Sequence, residues 1–211
     1  MSADDGAAGS AAGPITATSA AYDARAAEYI ARLGALEQMA GEDRTLITRW
    51  RDAIRGPMLD VGCGPGHWTA LLAEGGREVL GVDVSAEMIA SARARWQVPE
   101  FRQADAEGLP VPTASRGAVL AWYSLIHLPP ERLPTGLAEI SRVLAPGGSL
   151  LLGFFRGEAG ERFEHAVTPA WYWSPEMLEE LLAEAGFAVE ERHARHDPGS
   201  RPHGAMVARR R

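Results

Sequence analysis

From residue 57 onward, short apolar runs and amphipathic stretches take turns along the chain. "PMLDVG", "EVLGVDV", "PEFRQAD", "GAVLAWYS" and "SLLLGFF" are too short for helices and too apolar for loops, so they read as buried strands. Between them, "HWTALLAEG", "SAEMIASARARW" and "PERLPTGLAEISRVLAPGG" read as helices. The first is stopped by Gly75-Gly76, the second is N-capped by Ser85, and the third is stopped by Pro146-Gly147-Gly148. Strands separated by helices pair in parallel and carry helices on both faces. The predicted fold class is therefore α/β, a doubly wound and mainly parallel sheet.

The flanks extend this pattern. Tyr22, Ala26, Tyr29 and Leu33 recur at helical spacing from Thr16, and a second helix over about 43–54 aligns Leu46, Ile47, Trp50 and Ile54. Downstream, an irregular aromatic segment over 156–173 leads into "SPEMLEELLAEAG", a helix with Ser174 as N-cap and Pro175 at its first position. Two last strands, "FAVEERHAR" and "AMVARR", are joined by the polar turn "HDPGSRPHG" and bring the count to seven, with the last one antiparallel. Residues 1–15 are small and acidic and bury too little to offset chain entropy, so a disordered tail is expected ahead of a single domain over 16–211.

Charge and cysteine usage narrow the function classes. The net charge is -7, and all 21 basic residues are arginine, which suits a GC-rich genome better than a nucleic-acid surface. Arg209-Arg210-Arg211 reads as a solvated tail. One cysteine, Cys63, leaves no internal disulfide and no cysteine-built metal site. No apolar run has transmembrane length and the N-terminus lacks a secretory pattern, so the cytoplasm is the expected location, with no membrane partner.

Directly after the first strand, Gly62, Gly64 and Gly66 stand at alternate positions behind Asp60. Such a loop turns sharply into a helix while letting a ligand press against bare main chain. The spacing G-x-G-x-G differs from the dinucleotide fingerprint G-x-G-x-x-G, and an aspartate beside it suits an ammonium better than a pyrophosphate. Asp83 closes the second strand, 21 positions after Gly62, where a carboxylate binds ribose hydroxyls. Asp105 ends the third strand, where an adenine edge would lie.

With these residues in place the chain resembles the class I S-adenosylmethionine-dependent methyltransferases, in particular small bacterial members acting on small molecules. The resemblance runs from about Tyr22 to the C-terminus. It is carried by "LDVGCGPG", "GVDVSAEMI", "ADAEGLP", "LAWYSLIHL" and "EISRVLAPGGSLLLGF", five motifs in order. It implies a Rossmann-like seven-stranded sheet with an antiparallel last strand, N-terminal lid helices over about 16–55, and S-adenosylmethionine as cofactor. Asp60, Gly62, Cys63, Gly64 and Gly66 would hold the methionine part, and Ala121 and Trp122 would complete that end. Asp83 would bind the ribose, Val84 and Met88 would pack on adenine, and Asp105 and Ala106 would read its amino edge. Tyr22 and Tyr29 would belong to the lid. Where the family often begins the fourth strand with an acid, this chain has Gly117, which removes a carboxylate there.

The reaction implied is methyl transfer to a small-molecule acceptor by in-line displacement. His127 is the candidate base, aided by Tyr123, with a histidine hydrogen-bonded for structure as the competing reading. Trp122, Tyr123, His127, Phe155, His165, Trp171 and Trp173 are the candidate acceptor wall, which points to an apolar or aromatic acceptor. Two other functions stay open: an NAD-dependent oxidoreductase, which the loop spacing disfavours, and a cofactor-binding module without turnover. Metal is not expected, nor is a nucleic-acid partner; the chain is expected to be a monomer or a homodimer.

Overall fold

The computed structural model describes residues 14–211, with side chains from residue 17 onward. The predicted tail lies outside the described residues up to residue 13; the leading helix α1 (Pro14–Leu33) starts at Pro14, two residues before the expected Thr16. Next come α2 (Gly41–Ala53), β1 (Met58–Val61), α3 (His67–Ala73), β2 (Val79–Asp83), α4 (Ala86–Arg95), β3 (Glu100–Gln103) and β4 (Arg116–Trp122). After a 3-10 turn at Leu125–His127 follow α5 (Leu133–Val143), β5 (Leu144–Phe155), β6 (Arg162–Phe163), β7 (Ala170–Trp171), α6 (Pro175–Glu184), β8 (Phe187–Arg195) and β9 (His203–Arg210).

Seven strands form one sheet in the order β3-β2-β1-β4-β5-β9-β8. The neighbours from β3 to β5 are parallel, and β9 runs antiparallel between β5 and β8. The chain moves outward from β1 to β3, then returns to lay β4 against the other side of β1. That reversal opens a crevice at the carboxyl ends of β1 and β4, the usual ligand position in such sheets.

Period-two alternation within each strand feeds two cores. Leu59, Val61, Val119, Leu150 and Leu152 face α5 and α6, where Leu137, Ile140, Leu178 and Leu182 are buried. Met58, Ala118, Leu120 and Leu151 face α2 and α3, meeting Ile47, Trp50, Trp68 and Leu72. A polar contact fastens this second layer: Trp50 Nε1 donates to Ser149 Oγ at 2.9 Å inside the core. Arg51 ties α2 to the end of α3 through the Leu71 carbonyl and Glu74, both at 2.7 Å.

Caps decide several boundaries. Ser85 and Ser174 accept from the N–H of Met88 and Met177, the N-caps expected from their spacing. Three expectations are corrected. Pro146-Gly147-Gly148 does not end α5, which stops at Val143; it lies within β5, where the pairing with β4 shifts register. The aromatic segment contains a small hairpin, β6 with β7. Arg209 and Arg210 are not a free tail: both belong to β9, with Arg209 paired to Glu190 and Arg210 donating to the Leu144 carbonyl.

Candidate active site

The crevice is a cavity of about 850 Å³ including its open mouth. Its floor is the end of β1 and the loop after it, through Val61, Gly62 and Gly64. One side is built from Asp83, Val84 and Met88 with Ala104, Asp105 and Ala106. The opposite side is Trp122, Tyr123, Ser124 and His127, closed below by Leu128 and Pro129. Helix α1 roofs it with Thr18, Tyr22 and Tyr29.

Asp83 sits where the sheet meets this space. Its Oδ2 accepts from Gly64 N at 2.8 Å and its Oδ1 from Ser85 N at 2.9 Å, both main-chain donors. Desolvation raises its pKa against those bonds, and neighbouring Asp23 raises it further. A carboxylate held this way keeps acceptor capacity for hydroxyls arriving from the cavity. Asp105 spends one oxygen on Glu107 N at 3.0 Å and presents itself to the same wall.

At the other end, Ser124 Oγ is buried and has no partner among the described residues. It lies against Gly62, where a Cβ would come within 2.1 Å of the Ser124 Cβ, so glycine is required there by close approach as well as by its φ of +73°. An orphaned hydroxyl beside a bare loop suits a polar ligand group such as an amino acid's ammonium or carboxylate. The donor and acceptor set thus fits a nucleoside at Asp83 and an amino-acid moiety at Ser124, which is the make-up of S-adenosylmethionine.

Four residues expected to touch the cofactor lie off the cavity wall. Asp60 is buried and accepts from Thr69 Oγ1 at 2.6 Å, beneath the loop and off the cavity wall; burial pushes its pKa up to about 7. Cys63 packs with Ile89, Ala92 and Phe101 on the far side of the loop. Gly66 makes room for Phe101, whose ring would lie 2.7 Å from a Cβ. Ala121 is a buried rung of β4 opposite Leu152. At the start of α3, His67 is buried, with both ring nitrogens unpartnered among the described residues and its pKa lowered by desolvation to about 4.

The proposed acceptor residues separate into two groups. Trp122, Tyr123 and His127 line the cavity; Phe155, His165, Trp171 and Trp173 do not. Trp173 is core, with its N–H on the Phe155 carbonyl at 2.9 Å, and Trp171 is half-buried in the hairpin opposite Arg162. Phe155 and His165 stand just behind the wall: Phe155 is 5.0 Å from the Tyr123 ring and His165 is 5.1 Å from the His127 ring. Thr18, Ser124, Leu128, Pro129 and, behind Tyr123, His203 were not anticipated. Ser124 and Leu128 stand inside the motif "LAWYSLIHL", whereas His203 follows a polar turn and carries no local signal.

His127 is held at both nitrogens. Nδ1 lies 2.9 Å from the Pro169 carbonyl, which fixes the proton there, and Nε2 lies 2.8 Å from Tyr22 Oη, which must then donate. Desolvation lowers its pKa to about 4, so it is a neutral imidazole at pH 7. Tyr123 is paired elsewhere: its hydroxyl meets His203 Nδ1 at 2.7 Å. Its backbone φ of +54° is strained for a non-glycine residue, at about 1–3 kcal/mol, and such strain concentrates at functional positions.

Residues 58–148 match a family described as a methyltransferase domain. The chain is 31% identical over 151 residues to the malonyl-[acyl-carrier protein] O-methyltransferase of Erwinia billingiae, covering 70% of this chain and 55% of that protein. Across the first such curated relatives the chain spans about half or less of their length. Among solved structures, magnesium protoporphyrin IX methyltransferase from Synechocystis superposes with a TM-score of 0.77 at 19% identity, over 96% of this chain and 99% of that one. The 1,6-didemethyltoxoflavin-N1-methyltransferase of Burkholderia thailandensis gives 0.74 at 22% identity, over 100% and 93%. The matched segment over 58–148, the strand order and the cavity agree with a class I S-adenosylmethionine-dependent methyltransferase fold.

Proposed function

We propose that the protein transfers a methyl group from S-adenosylmethionine to a small-molecule acceptor. The observation that carries this reading is Asp83, a desolvated carboxylate on the cavity wall that accepts from the main-chain N–H groups of Gly64 and Ser85. Asp83 takes the ribose hydroxyls, Val84 and Met88 flank the adenine, and Asp105 and Ala106 border its amino edge. Gly62, Gly64 and Ser124 receive the amino-acid end, beside Trp122. Asp60 lies beneath the loop, behind that end, on the Thr69 hydroxyl. Tyr22 and Tyr29 cover the bound cofactor from α1.

When bound, S-adenosylmethionine supplies an electrophilic methyl group and departs as neutral S-adenosylhomocysteine, while the acceptor exchanges a proton for that methyl. What remains for the protein is alignment, exclusion of water and disposal of the proton. His127 and Tyr123 border the reacting end, with Tyr22 held on His127 to close the roof. The acceptor is apolar or aromatic, in keeping with Trp122, Tyr123 and Leu128 around that end. The named relatives act on acceptors as different as a malonyl carrier protein and a toxoflavin precursor, which supports the transfer chemistry more than any one acceptor.

Calorimetric titration with S-adenosylhomocysteine tests the reading. Asp83→Asn removes charge-assisted hydrogen bonds, and affinity is expected to fall about a hundredfold, ~2.7 kcal/mol. An unchanged affinity in Asp83→Asn, or tighter binding of NAD than of S-adenosylhomocysteine by the parent protein, refutes it.

A further inference from the structure

Past Tyr123 the carboxyl edge of the sheet continues over β5 and β9, beyond the part assigned to the cofactor. The last rung there pairs Phe155 with His203. Their rings lie 5.4 Å apart and both approach Tyr123, at 5.0 and 5.5 Å. His165, from the segment between β6 and β7, lies 5.1 Å from His127 and 6.3 Å from Phe155. One patch of edge therefore gathers three imidazoles, a phenol and a phenyl ring.

Two of the nearby cations are committed. Arg25 is paired with Glu28 at 2.8 Å. Arg201 lies 4.5 Å over the Phe163 ring and donates to Tyr172 Oη and to the Glu164 carbonyl. A carboxylate acceptor needs no base, and the Arg25 and Arg201 guanidiniums are already engaged. Neutral imidazoles and phenols beside flat rings instead suit a neutral aromatic molecule that must lose a proton.

The two tyrosine–histidine pairs are not equivalent. His127 has its Nδ1 on Pro169, receives Tyr22 at Nε2, and is lowered by desolvation to about 4. His203 is half-buried at the edge of the exposed turn 196–202. Burial lowers its pKa, as do Arg195 from β8 and His196 in the turn, whereas Asp197 raises it. Facing it from just after β4 is the Tyr123 hydroxyl and from β5 the Phe155 ring. Behind Arg195 stands Asp43 of α2, 2.8 Å from its guanidinium. His203 thus joins a buried hydroxyl on the cavity wall to solvent, and the strained backbone of Tyr123 sets that link.

We propose that the acceptor is a neutral aromatic molecule bearing an O–H or N–H, placed over the ends of β5 and β9, and that His203 takes its proton through Tyr123. This rests on the cofactor reading above. The acceptor's X–H bond yields its proton to Tyr123 Oη, Tyr123 passes its own proton to His203 Nδ1, and the resulting imidazolium discharges to water beside the turn. Tyr123 touches the acceptor; His203 acts through it as a positioning residue and proton sink.

The probe is 4-nitrophenol, whose visible absorbance distinguishes phenol from phenolate, added to the full chain saturated with S-adenosylhomocysteine below the probe's own pKa. The parent protein is expected to bind it with the phenolate band. His203→Gln and Tyr123→Phe are expected to bind it with at least tenfold less phenolate. Absence of binding, binding as the neutral phenol by the parent, or a phenolate band that survives His203→Gln and disappears in His127→Gln overturns the proposal. Calorimetry with S-adenosylhomocysteine on the same samples separates the cases: loss of that affinity in the parent defeats the cofactor reading, whereas retained affinity with no effect on the probe defeats this one alone.

Discussion

At the scale of single residues, the informative ones are polar groups whose surroundings are incomplete without a ligand. Ser124 Oγ is buried without a partner among the described residues, so the fold gains nothing from it. Ser124→Ala is therefore expected to leave the melting temperature unchanged or slightly raised, while S-adenosylhomocysteine binds about tenfold more weakly, one hydrogen bond's worth. Calorimetry beside a thermal melt checks both halves of that statement. Asp60 and Asp83 illustrate what local sequence could convey. Both stand at strand ends beside the glycine loop, yet only Asp83 lines the cavity; the Thr69 hydroxyl, nine residues along, draws Asp60 beneath the loop. Spacing identified the pair as acids near a ligand but held no information about which way each carboxylate turns.

Among the elements, α1 is the one held mainly by polar contacts. Of its described residues Ala26 alone is fully buried. Ser19 Oγ donates to the Val84 carbonyl at 2.9 Å, Tyr22 meets His127, and Asp23 accepts from Ser85 Oγ at 2.5 Å and from Glu87 N at 3.2 Å at the start of α4. A carboxylate at a helix N-terminus is favourable, and these contacts tie the roof to the residue after β2, to the 3-10 turn and to the start of α4 at once. In Asp23→Ala, amide exchange in α1 should quicken by about tenfold or more with the sheet unaffected, and S-adenosylhomocysteine should dissociate faster. Exchange that stays as slow in α1 as in the parent would show that the latch is not what holds the roof. Elements with a cap and a clear period, such as α4 behind Ser85 and α6 behind Ser174, were legible in advance. The hairpin of β6 and β7 was not, because two-residue strands have no period to read.

Across the whole molecule, stability depends on groups that folding forces to stay neutral. His67 is buried with no partner among the described residues and its pKa is lowered from 6.5 to about 4. The unfolded chain then binds that proton more readily, so its contribution to stability is fully present above pH ~6.5. It is lost as the pH falls toward 4, at up to about 1.4 kcal/mol per pH unit. Asp60, raised to about 7 by burial, runs the opposite way and weakens the fold as the pH rises through the range from 3.8 to 7. Urea unfolding of His67→Phe against the parent between pH 4.5 and 7 isolates the histidine. The variant's stability relative to the parent should rise as the solution is acidified, and a constant difference would rule the mechanism out. Because His67 lies away from the cavity, the slope is read without disturbing the site.

The order of strands and helices, the parallel sheet and the acids flanking a glycine loop were all determined by sequence alone, because periodicity, caps and turn residues act over a few positions. Tertiary structure decided which side chains share a wall. It turned Asp60 and Cys63 beneath the loop and set Trp173 in the core. It also required glycine at 117, where a Cβ would lie 2.2 Å from the Arg55 carbonyl. His203 is the sharpest instance: 80 residues from Tyr123, it reaches that hydroxyl only because β9 inserts antiparallel beside β5 and brings its first residue to the ligand edge. Contacts of that range follow from strand order, and no local pattern encodes them.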